Sequence, residues 1–164
     1  MSEDDRLSGG RVERLWVKRA KRGPMDAVPD AQFIARRGMA GNADAGGRRQ
    51  VTVISRERWQ ELTAPLGGVD PVLRRANVLV SGIELEASRG RLLQIGDAQL
   101  RINGETRPCR ALDFALPGLQ HALDPRWGGG VYAEVTVGAV VRVGDVVAWI
   151  DESRDQINPR SRTA

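Results

Sequence analysis

At 164 residues and 17.9 kDa the chain has room for one domain of ordinary size and none for a second catalytic domain. A content of 41% hydrophobic and 28% charged residues belongs to a soluble globular chain and excludes the disordered, collagenous and membrane classes. One Cys and one His exclude a disulfide framework and a four-ligand structural zinc site, and the net charge of +4 points to an anionic ligand or partner.

The start, Met1-Ser2-Glu3-Asp4-Asp5, is acidic with no apolar stretch after it, so the expectation is a cytoplasmic chain with neither signal peptide nor spanning helix. Residues 1–10 and 152–164 are polar and read as loose tails around a domain over 11–151. Within it, short runs rich in Val, Ile and Leu alternate with Gly, Pro, Asn or Asp, the pattern of an all-β barrel or sandwich. The runs predict strands at Val12–Lys18, Gln32–Arg36, Gln50–Ser55, Asn77–Ile83, Arg91–Ile95, Ala98–Asn103, Gly130–Val137, Val140–Val143 and Val146–Ile150. Gly96-Asp97 and Gly144-Asp145 occupy the places of two-residue hairpin turns, which makes the last third a meander. Two stretches break the pattern. Ser55–Leu62 predicts a helix capped by Ser55, and Pro117 predicts another, opening at its first position and stopping at Asp124-Pro125; both are expected to plug the barrel ends.

Familiar catalytic patterns are missing. No Gly-rich loop runs into Lys-Ser or Lys-Thr, and no Gly-x-Gly-x-x-Gly opens a helix after a strand, which sets aside nucleotide hydrolysis. His121 sits on a short predicted helix and reads as a surface or partly packed imidazole, while Glu84 and Glu86 read as a solvated strand rim.

Two features carry chemistry. Of the 25 basic residues only Lys18 and Lys21 are lysines, leaving 23 arginines. The guanidinium fork binds phosphate or carboxylate in bidentate fashion, although a base-composition bias accounts for the same count. The single cysteine lies in Arg107-Pro108-Cys109-Arg110, where flanking cations favour the reactive thiolate if they point toward the sulfur; the other reading is a small buried hydrophobe. Nucleic acid is the alternative ligand. Single-strand-binding barrels stack bases on aromatics; only four Trp, one Tyr and two Phe are present, and of these Trp16, Tyr132 and Trp149 fall in predicted strands, where they read as core residues.

Taken in order, Gly38-Met39-Ala40-Gly41-Asn42-Ala43-Asp44, Arg49-Gln50-Val51-Thr52-Val53-Ile54, Arg75-Ala76-Asn77, Val80-Ser81-Gly82-Ile83, Gly90 with Ile95-Gly96, Pro108-Cys109, Arg126 with Gly128–Gly130, and Val143-Gly144-Asp145 resemble the MOSC family, named for the C-terminal domain of molybdenum cofactor sulfurases. The resemblance spans about Arg11 to Asp151 and implies an all-β barrel, similar to the pyruvate-kinase β-barrel, with a few short helices.

It also implies a role with molybdenum cofactor, with Cys109 as the catalytic and metal-binding residue. Family members occur fused to a pyridoxal-phosphate desulfurase, in mitochondrial amidoxime-reducing enzymes, and as stand-alone bacterial proteins; this chain resembles the last kind. With neither the length nor the lysine of the desulfurase domain, it is expected to carry no pyridoxal phosphate. The family's early loop often reads Gly-Asp-x-His, whereas the matching positions here are Asn42 and Asp44, so the resemblance does not carry over an acid–base or ligand role for that loop. A pterin dithiolene ending in phosphate needs cationic forks, amide donors and a soft ligand. Arg49, Arg75 and Arg126, the amides of Gly128, Gly129 and Gly130, and Cys109 answer to these needs; Asn77 either touches the ligand or bonds backbone. Two mechanisms follow. In one, Cys109 ligates molybdenum and the enzyme, served by a redox partner, reduces a small N-hydroxylated substrate; in the other, Cys109 carries a persulfide accepted from a cysteine desulfurase. A membrane role is not expected, since no helical stretch sets an apolar face opposite the arginines, and an inert scaffold with Cys109 buried is the remaining reading.

Overall fold

The computed structural model describes residues 9–150. Among these, the strands are β1 (Gly10–Lys18), β2 (Met25–Val28), β3 (Asp30–Ile34), β4 (Gly38–Met39), β5 (Val51–Ser55), β6 (Val78–Ser81), β7 (Leu92–Ile95), β8 (Ala98–Glu105), β9 (Val131–Val137), β10 (Ala139–Arg142) and β11 (Val146–Trp149). The helices are α1 (Arg56–Thr63), α2 (Ala111–Ala115) and α3 (Leu119–Leu123).

Strand order β11-β7-β8-β9-β5-β6-β1, closed by a further β11–β1 pairing, makes a seven-stranded barrel, and β2 extends it alongside β1. Closure leaves no free edge inside the ring. A second sheet, β10-β3-β4, packs its Ala31, Phe33, Met39 and Val141 into the same core as the barrel's inward residues. Along β5, Val51 and Val53 face that core, whereas Ile54 belongs to a second cluster with Trp16, Trp59, Leu79, Leu119 and Leu123. Because strand side chains alternate in direction, the second cluster lies outside the barrel wall.

The helices therefore cover the outer face of β5 and β6 and do not plug the barrel ends as expected. This also explains why β6 is buried at every position: it has apolar cover on both sides. β5 and β6 are parallel, and parallel neighbours need a crossover, which α1 and the following turns supply. Ser55 caps α1 as predicted, its side chain accepting from Arg58 N at 3.2 Å.

All nine predicted strands form, shifted by a residue or two at their ends. β2, β4 and α2 were not predicted. Pro117 does not open its helix: Gly118, at φ 91°, is the N-cap of α3. The Gly96-Asp97 hairpin joins β7 to β8, pairing Ile95 with Ala98. The meander runs β7-β8-β9 and ends there, because β10 joins the small sheet and the Gly144-Asp145 turn passes from it to β11 in the barrel. Glu84 and Glu86 turn toward buried Arg58, whose Nη2 donates to Glu84 and lies 3.7 Å from Glu86, so they are ion-paired. The expected tails fall outside the described residues except at Gly9 and Gly10, and Gly10 pairs with Val147 inside β1.

Candidate functional site

A cleft of about 520 Å³ opens against the outward face of β5, where Thr52 sits between the inward-facing Val51 and Val53. Its walls come from distant parts of the chain: the end of β1 at Lys18, the following loop at Lys21, the 42–45 loop, Arg49, the segment Arg74–Asn77, Thr106 and Gly129.

Asn77 is the hub of this assembly. Its Oδ1 accepts from the Thr52 amide at 3.1 Å, and its Nδ2 donates to Trp16 O and to Asn42 Oδ1, each at 3.2 Å. Asn42 Oδ1 also accepts from the Lys18 amide at 2.9 Å, and Asp44 pairs with Lys18 Nζ at 2.7 Å. One buried amide thus ties β1, β5, the start of β6 and the 42–45 loop together, and Asn77 bonds backbone in the way one of its two readings had it.

The cations are held by equally specific devices. Arg74 donates from Nε to Gly129 O at 2.9 Å and from Nη2 to Thr106 O at 3.3 Å, bridging the two connections that flank Cys109 and the Gly128–Gly130 turn. Burial, and the Arg49 guanidinium beside it, pull Arg74 below the usual arginine range, while the charge of Cys109 acts in the opposite direction. Arg75 takes a left-handed conformation at φ 61° and donates to Gly23 O at 2.6 Å. Arg49 lies over the Tyr132 ring at 5.4 Å. That ring can lie there because Gly104 sits opposite on β8, where a Cβ would come within 2.9 Å of the tyrosine hydroxyl.

Cys109 is exposed and does not line the cleft wall; the chain itself joins it to the cleft, three residues beyond Thr106. The buried reading of this thiol is excluded.

Other expected site residues are placed elsewhere. Arg126 pairs with Glu61 at 2.9 Å and lines a separate depression with Arg58 and Glu84. Of the three glycine amides, Gly128 N donates to Pro125 O at 3.0 Å and Gly130 N to Trp127 O at 2.9 Å, so both are spent within the turn. Gly129 contributes its carbonyl, the acceptor for Arg74. His121 is exposed on α3 and does not line the cleft.

Lys18, Lys21, Arg74 and Thr106 escaped sequence reading as site residues. A signal existed for two of them: the chain's only lysines, among 23 arginines, both line this cleft. Arg74 was legible only as the neighbour of Arg75.

A family model, the MOSC domain, matches residues 36–148, more than half of the chain. The chain belongs to the MOSC domain family. Solved structures with the same fold include the YuaD protein from Bacillus subtilis, with a TM-score of 0.69, 20% identity and coverage of 84% of this chain and 93% of that one. YiiM from Geobacillus stearothermophilus gives 0.69 at 17% identity, covering 87% and 75% of the two chains. YiiM from Escherichia coli gives 0.65 at 15% identity, covering 86% and 70%. Identities this low show a shared MOSC fold. No curated protein sequence matches the chain. Among the described residues, no helix is long and apolar enough to cross a membrane.

Proposed function

We propose that this MOSC chain binds molybdenum cofactor in the cationic cleft and, with Cys109 as the metal's protein ligand, reduces N-hydroxylated compounds. MOSC domains are associated with molybdenum cofactor in general. The observation that carries the proposal is the gathering of Lys21, Arg49, Arg74 and Arg75 in one cleft whose wall includes Thr106, three residues before the exposed Cys109.

The residues present fit the group. Arginine forks already oriented by carbonyl bonds suit a terminal phosphate. Thr106 Oγ1 is buried in the cleft wall without a hydrogen-bond partner, a donor in want of an acceptor. A cleft of about 520 Å³ falls in the range of cofactor sites, roughly 300–1,000 Å³. Among the described residues, no group of three or more His, Cys, Asp or Glu is placed to hold a metal ion. A metal here arrives with donors of its own, as in a pterin dithiolene, and needs one soft ligand from the chain.

Bound cofactor supplies two-electron chemistry and oxygen-atom exchange at molybdenum. The chain's part is binding and orientation. Arg74 and Arg75 hold the phosphate, Asn77 fixes the segment that carries them, and Cys109 as thiolate ligates the metal. Arg126 and the amides of Gly128 and Gly130 take no part, and the chain uses no pyridoxal phosphate. An electron donor completes the reaction as its redox partner, and the chemistry belongs to the reducing cytoplasm that the single free cysteine fits.

The exposure of Cys109 also favours a second reading, in which a cysteine desulfurase reaches the thiol and loads it with a persulfide. X-ray absorption at the molybdenum edge separates the two. The first reading predicts one fewer sulfur neighbour of molybdenum in Cys109→Ser than in wild type. An unchanged sulfur shell, with persulfide found on wild-type Cys109, supports the second.

A further inference from the structure

The cleft holds more positive charge than one phosphate neutralises. Lys18 is paired with Asp44, but among the described residues no carboxylate lies within ion-pair distance of Lys21, Arg49, Arg74 or Arg75. A phosphate monoester carries roughly −1.5 to −2 at pH 7, so a cofactor phosphate balances two of these four cations.

The remaining charge costs the folded chain. Arg74 is pulled down by burial and by Arg49 beside it, against the opposing charge of Cys109, and its two hydrogen bonds go to neutral carbonyls and not to a carboxylate. The four cations also divide by how they are held. Arg74 and Arg75 are anchored to backbone carbonyls and form a fixed cradle. Lys21 is exposed on its loop, and Arg49 rests on the face of Tyr132, so this pair is free to adjust to a ligand that enters and leaves. The unpartnered Thr106 hydroxyl, in the same wall as Arg74 and three residues from Cys109, offers another donor to an oxyanion.

We propose that the cleft holds a second oxyanion in addition to the cofactor's phosphate, and that it belongs to the substrate: an N-hydroxylated compound bearing a phosphate or carboxylate, met by Lys21 and Arg49. This substrate class rests on the cofactor reading above; the second anion site stands on the charge and geometry of the cleft.

Calorimetric titration tests both parts separately. Cofactor-free protein is expected to bind two inorganic phosphates per chain and cofactor-loaded protein one. Loaded protein is expected to bind N-hydroxycytidine 5′-monophosphate about tenfold more tightly than N-hydroxycytidine, a preference that shrinks at high salt and is lost in Lys21→Ala and Arg49→Ala. A single phosphate on cofactor-free protein, or equal affinity for the nucleotide and the nucleoside at low salt, overturns the proposal. Protein that never acquires molybdenum yet still binds two phosphates overturns the cofactor reading and leaves the second anion site standing.

Discussion

Serine in place of Cys109 is expected to lower reduction of N-hydroxylated substrates by about a thousandfold while leaving the thermal midpoint within a few degrees of wild type. The structural half follows from the position of the residue. Cys109 is exposed, and the local hydrogen bond it provides is made by its carbonyl, which accepts from Leu112 N at 3.1 Å just ahead of α2. Serine keeps that carbonyl and nearly the same volume, so the Arg107–Arg110 segment keeps its conformation, and the Arg74 bonds to Gly129 O and Thr106 O are untouched. The chemical half follows from the loss of the sulfur, since a hydroxyl is a poor ligand for a soft, dithiolene-bound metal and cannot carry a persulfide. Steady-state turnover with a reduced dye, alongside thermal melting, checks both. Full activity in the folded serine variant would remove Cys109 from the mechanism.

The largest stability loss is expected at Gly130, where the glycine turn enters β9. Its φ of 91° lies in the left-handed region, and a Cβ there would press on Val53 O and stand 2.6 Å from Ile54 Cγ2. Neither can yield: Val53 pairs with Val131 across the β5–β9 ladder and with Val78 across β5–β6. Gly130→Ala should therefore lose about 2–5 kcal/mol, the sum of a left-handed alanine and an overpacked wall. Gly144 separates the two contributions. Its φ is 96°, yet nothing lies within 4 Å of a Cβ there, so Gly144→Ala should lose only the conformational part, about 1–2 kcal/mol. Urea unfolding of the two variants checks the difference. Equal losses would mean that the wall beside Gly130 is not rigid and does not set the position of Gly129, the anchor of Arg74.

The barrel was legible because its strands are short apolar runs punctuated by Gly, Asn and Asp, and each such run became a strand. What stayed hidden was where those strands go. Val140–Val143 and Val146–Ile150 flank a good hairpin turn, but Phe33 and Met39 draw the first strand into the small sheet while β1 and β7 take the second. β4 is two residues long, too short to show a period. The placement of the helices was hidden for a related reason. Ile54 and Leu79 sit among barrel-facing valines, and only the paired register of β5 and β6 shows that they point outward, giving Trp59, Leu119 and Leu123 a surface to cover.

The candidate site divides in the same way. Arg49, Arg75, Asn77 and Gly129 line one cleft because their motifs sit where β5, β6 and β9 begin. Arg126 has an equally suggestive motif, but Glu61 on α1 captures it, a contact 65 residues apart that no local pattern records. Lys21 and Thr106 were silent because their importance lies in what they lack, a counter-charge for one and a hydrogen-bond partner for the other, and an unfilled need is visible only once the neighbours are placed.

The cofactor reading is tested most directly by molybdenum analysis and pterin oxidation-product fluorescence on wild-type protein made in two hosts, one able to synthesise molybdenum cofactor and one deficient in it. About one molybdenum and one pterin per chain from the first host, and neither from the second, is the predicted result. Equal and negligible amounts from both hosts, in protein whose barrel is folded, would contradict it.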